Sequence, residues 1–186
     1  MPPTIRCAGC SSSSGNEVTM LRLKSISKDA VPAALQKAER YRLINQPWAA
    51  ESICLDALEV DPDNEAVLIT LLLTITDQFG DSGVDDVDRA RKLLPRLRDA
   101  YKRAYYAGII CERRAKAQLD HGGPGASDIA YHSLREAMSW YEQAEAKRIA
   151  GDDEALLRWN TCVRLLQRHP QLKPVAEERH EPNFGE

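Results

Sequence analysis

Cys7 and Cys10 stand two residues apart, the spacing of half a zinc site. No second CxxC or HxxxH pair follows, so the pair reads as part of a polar tail rather than a metal centre. The four histidines, His121, His132, His169 and His180, form neither a triad pattern nor an HExxH spacing. Gly122-Gly123-Pro124-Gly125 lacks the lysine that follows a phosphate-cradling loop and reads as a turn. Asp85-Asp86 and Asp152-Asp153 stand at expected helix starts, where they favour the helix dipole without any chemistry. Cys54, Cys111 and Cys162 fall inside helical patterns and read as small buried hydrophobes, not nucleophiles. The sequence therefore predicts no catalytic residue, no enzyme, no cofactor and no bound metal.

Charge is more informative. The chain has 186 residues and a net charge of −3, spread unevenly: −7 over residues 1–88, +8 over 89–116, and −4 over 117–186. The basic stretch holds ten cations, from Arg89 to Lys116, against Asp99 and Glu112, with Tyr101, Tyr105 and Tyr106 interleaved. Such a segment can be a solvated helix surface, a groove for an acidic protein partner, or a contact for phosphates and stacked bases. A sequence pI near 5.9 and the lack of any nucleic-acid module signature favour the protein partner.

The elements that would carry these groups are helices almost throughout. Apolar residues make up 43% and charged residues 28%, a globular balance. Residues 1–27 read as a disordered tail, 28–169 as the helical domain and 170–186 as a second tail. Asp29 is an expected helix cap, Asn45-Gln46-Pro47 a break, and Asp61-Pro62 the end of a helix starting near Trp48. Asn64 is expected to cap a third helix to about Phe79; its β-branched residues also suit a strand, but its apolar positions do not alternate. A fourth helix from Val84 meets Pro95, which ends or kinks it, and a long helix runs on to about Leu119. Ser127 or Asp128 is expected to cap the next helix, to about Ala150, and a last one runs from Asp153 to about His169. The longest apolar run, 66–75, is too short to span a bilayer, and no secretory leader is readable. An odd cysteine count within helices points to a reducing, cytoplasmic setting.

Spacing then becomes specific. In residues 31–64, Tyr41, the set Ala50, Cys54 and Ala57, and Pro62 stand at the offsets of a helix-pair repeat. Ala90-x3-Leu94-x2-Leu97 and Ala137-x3-Tyr141-x2-Ala144 echo the same second-helix pattern, and Ala104, Ala107, Gly108 and Cys111 a first-helix one. Over about residues 30–168 the chain resembles a tetratricopeptide repeat protein, whose repeats each pack two antiparallel helices in ~34 residues.

That resemblance implies an all-α, right-handed superhelix of about three helix pairs with a capping helix around Trp159. It also implies a non-catalytic adaptor or scaffold that takes a partner peptide or helix on its concave face. The positions carried over for that face are Leu35, Glu39, Arg42, Ile69, Leu73, Lys102, Tyr105, Ile109 and Arg113. Their mixture suits a partner with acidic and apolar residues. Family members that clamp acidic chaperone tails use lysine and asparagine where this chain has Leu35 and Glu39. The alternative is nucleic-acid binding along the basic 89–116 segment.

Overall fold

Prolines and short polar side chains set most of the helix boundaries. The computed structural model describes residues 21–80 and 85–172; Cys7, Cys10 and most of both expected tails lie outside them. Chain order is α1 (Val31–Leu43), α2 (Pro47–Val60), α3 (Glu65–Thr76), α4 (Asp85–Leu93), α5 (Ala100–His121), α6 (Ala126–Glu145) and α7 (Glu154–Arg168). There is no strand among the described residues, so the fold is all-α.

A 3-10 turn over Lys28–Ala30 leads into α1, so Asp29 lies inside the turn and Ala30 takes the cap position. Asn45, at φ 56°, reverses the chain, and Pro47 opens α2 where its missing N–H costs nothing. Asn64 caps α3 as expected, accepting from the Val67 N–H at 3.2 Å. Asp99 caps α5, accepting from the Tyr101 N–H at 2.8 Å. Pro95 ends α4, one of the two outcomes expected of it, while two other boundaries differ from the sequence reading. Pro95 sits in a 3-10 turn, Leu94–Arg96, followed by extended Leu97, so the basic stretch is two helices joined by a corner. Gly125, at φ 78°, stands at the start of α6 in place of Ser127 or Asp128. Helix α6 ends at Glu145 and turns follow to Gly151, at φ 92°, five residues earlier than expected.

Helix α3 is a helix despite its β-branched content because it is covered on nearly all sides. Eight of its residues are buried, including Thr70, Thr74 and Thr76. The Thr74 hydroxyl donates to the Thr70 carbonyl at 2.7 Å and Thr76 to the Leu73 carbonyl at 2.8 Å, so both enter the core paired. Around it, α1 packs on α2 and α3, α2 on α3, α3 on α4 and α5, α4 on α5, α5 on α6, and α6 on α7.

Two apolar clusters result. One spans α1 to α4 with Leu97, Ile110 and Ala117; the other joins α5, α6 and α7. Leu73 and Tyr106 pack against both. Ala50, Cys54, Ala57, Ala90, Ala137, Tyr141 and Ala144 are all at most 1% exposed. Beyond the expected tail boundaries, Ile26 packs on the first cluster and Leu172 is buried in the second.

Candidate functional site

The residues expected on the binding face sit on α1, α3 and α5, which pack side by side. Arg42 on α1 places Nε 2.7 Å from Asp77 Oδ2, just past the end of α3. Arg113 on α5 pairs with the other oxygen of the same carboxylate. It also donates to Thr76 Oγ1 at 2.7 Å and to the Leu73 carbonyl at 3.1 Å. One carboxylate thus ties three helices together. Lys102, about three turns earlier on α5, donates to Glu65 Oε1 at 2.6 Å, at the start of α3.

Leu35 and Ile69 are half-buried against the first cluster, and Leu73 lies between the two clusters. Glu39, Arg42, Leu43, Asn45 and Asp77 line a shallow depression beside them. Tyr105 belongs to an aromatic group: it stacks on Tyr101 with ring centroids 5.9 Å apart, meets Tyr106 edge-on at 5.2 Å, and tilts toward Tyr141 at 6.0 Å. Ile109 differs from the expectation. It is 1% exposed and belongs to the second cluster, because its side of α5 faces the core, so it offers no contact surface.

Asp77 and Glu65, the carboxylates that occupy these cations, were not singled out from sequence. The available signal was distance along the chain: Asp77 follows Arg42 by 35 residues and precedes Arg113 by 36, close to one repeat length at each step. Five of the ten cations of 89–116 are similarly spent on carboxylates. Arg89 pairs with Glu51 and Asp86, Arg91 with Glu136, Lys102 with Glu65, Arg113 with Asp77 and Lys116 with Glu112.

A second polar cluster lies inside. The Glu112 side chain is 1% exposed. It accepts from Tyr141 Oη at 2.7 Å and Lys116 Nζ at 2.6 Å, with Arg158 at 3.4 Å. These groups belong to α5, α6 and α7, so the carboxylate joins the last three helices. With three donors on it, it has little capacity left for a substrate. Burial pushes the Tyr141 phenol up, and the Glu112 charge adds to the shift. The Tyr101 hydroxyl is enclosed beside the Asp152 carboxylate; burial, and then that carboxylate, raise its pKa.

Burial also pushes the thiols of Cys54, Cys111 and Cys162 up to about 12. That is the reverse of the shift that activates a cysteine nucleophile. Among the described residues, no group of three His, Cys, Asp or Glu side chains is placed to hold a metal ion. No described helix is long and apolar enough to cross a membrane. Comparisons with protein-family models, curated proteins and solved structures returned no match to this chain.

Proposed function

We propose that the chain is a non-catalytic adaptor of tetratricopeptide type, a superhelix of helix pairs that binds a segment of another protein along α1, α3 and α5. The observation that carries this reading is the Arg42–Asp77–Arg113 bridge, which lines up three alternate helices on one face. Half-buried Leu35, Ile69, Leu73 and Tyr105 supply apolar contact beside it. A partner carboxylate would exchange with Asp77 or Glu65 for Arg113 or Lys102, so polar contacts there select a partner more than they strengthen binding. The partner is an acidic and apolar protein segment, met in a reducing, cytoplasmic setting that suits three free buried thiols. Nucleic-acid binding along 89–116 has less support, since half of those cations already face carboxylates.

The test is affinity enrichment from source-cell lysate at ~0.05 and ~0.5 M salt, with weak and strong screening. Wild type is compared with a Lys102→Glu, Arg113→Glu variant whose helical melting is checked in parallel. A protein captured by the wild type and lost in the folded variant is the expected result. Equal recovery by both, or nucleic acid alone, overturns the reading.

A further inference from the structure

The basic stretch carries a surplus that the ion pairs do not absorb, and its location is specific. Arg96 donates to the Pro62 carbonyl at 2.5 Å, and Arg103 to the Leu97 and Arg98 carbonyls at 2.8 Å each. Just past the end of α6, Lys147 Nζ donates to the Gln143 carbonyl at 3.0 Å. Carbonyls satisfy the donors but leave the positive charge uncompensated. Of the flanking acids, Asp99 accepts from the Tyr101 N–H and Glu142 accepts from Trp159 Nε1 at 3.0 Å.

Two of these cations, Arg103 and Lys147, line a groove. It forms where the Leu94–Arg96 corner meets α5 and α6, with Leu94, Pro95, Ala100, Ala104, Ala107 and Trp140 as its apolar lining. Arg103, Gln143 and Lys147 complete the wall, and the groove encloses about 580 Å³. Three alanines leave room that a larger side chain can fill, and half-buried Trp140 presents a flat apolar surface. The Arg42–Asp77–Arg113 face is charge-paired; this groove combines an apolar floor with two cations, Arg103 and Lys147, that meet no carboxylate among the described residues.

We infer that this groove is a second docking site, for an acidic segment of a partner protein that seats an apolar side chain against Trp140 and the alanines, with carboxylates on Arg103 and Lys147. Charge complementarity selects that occupant. The apolar lining disfavours a purely phosphate-backbone contact, which needs only cations. The site is independent of the α1–α3–α5 face and stands or falls separately from it.

The probe is a fluorescein-labelled peptide of about ten residues, glutamate pairs flanking a leucine and a phenylalanine, followed by anisotropy at ~0.05 and ~0.5 M salt. Lys147→Glu reverses an exposed charge just past α6 whose side chain bonds to the nearby Gln143 carbonyl, and Ala100→Trp, at an exposed position, fills the groove. Arg103→Glu is a third variant, read only if its melting matches wild type, because Arg103 also ties the corner. The expected result is saturable binding that weakens about tenfold or more in Lys147→Glu and Ala100→Trp, falls with salt, and is unchanged in Arg164→Glu, an exposed charge reversal on α7. No saturable binding, wild-type affinity in both groove variants, or tighter binding of a poly-deoxythymidine oligonucleotide than of the peptide overturns the proposal.

Discussion

Gly108 provides a test of the packing between α5 and α6 because two effects of opposite sign meet there. Glycine inside a 22-residue helix is unfavourable, and replacement by alanine at an open position would gain ~1 kcal/mol. At Gly108, however, an added methyl would lie 2.7 Å from Tyr141 Cδ1 and 2.9 Å from Cζ. Tyr141 is fully buried and its hydroxyl is held by Glu112, so the ring cannot simply swing outward. Overpacking of this kind costs ~1–3 kcal/mol. Loosening the Tyr141–Glu112 bond, to a charged acceptor, adds ~1.5–3 kcal/mol. Gly108→Ala is therefore expected to destabilise by about 2–4 kcal/mol, lowering the melting temperature by roughly 5–15 °C for a chain of this size. The assay is urea and thermal unfolding of Gly108→Ala alone and in a Tyr141→Leu background. Without the ring, the same substitution should become neutral or stabilising. A single variant as stable as wild type, or an equal loss in both backgrounds, would refute the close α5–α6 approach.

Two further outcomes follow from groups already described. Asp77→Asn keeps the shape of the side chain but removes the charge shared by Arg42 and Arg113, whose side chains are only a fifth to a quarter exposed. Such partly screened pairs should cost about 1–2 kcal/mol, and an unchanged melting temperature would mean that water already satisfies both arginines. The buried thiols set an alkaline limit. Cys54, Cys111 and Cys162 are raised from 9.0 to about 12 in the folded chain, so the unfolded chain loses these protons first. Their contribution is constant below pH 9 and is lost between pH 9 and 12, at up to about 1.4 kcal/mol per pH unit for each thiol. Urea unfolding from pH 8 to 11 should give this slope, reduced in Cys162→Ala; a slope that Cys162→Ala leaves unaltered would contradict it.

Helix positions were legible because they depend on local chemistry. Asn64 and Asp99 are caps with short acceptors, Pro47 and Pro62 bracket α2, and the apolar run from Val67 to Ile75 is wide enough to be buried all round. The end of α6 was misread because nothing between Glu145 and Gly151 is a strong helix breaker; residues 146–150 are exposed, so no packing holds a further turn in place. Ile109 was misplaced for a similar reason. On a helix contacting neighbours on several sides, such as α5, periodicity marks apolar positions but not which neighbour each one faces. The ion pairs were least legible. Arg103 and Lys102 are adjacent cations on one helix, yet one faces Glu65 and the other two carbonyls, a distinction set by helices distant in sequence.

The two apolar clusters meet at a narrow seam, with Leu73 and Tyr106 common to both. Cooperativity between the halves depends on that seam, whereas the α5–α6 pair packs along two of the longest helices and is reinforced by Glu112. In a linear array, a weak junction lets one end open while the other persists. Amide exchange should therefore be slowest in the middle of α5 and α6, and α1 and α2 should open first. A fold arranged this way can yield its first helices, with the Arg42 side of the bridge, while the groove beside Trp140 keeps its shape.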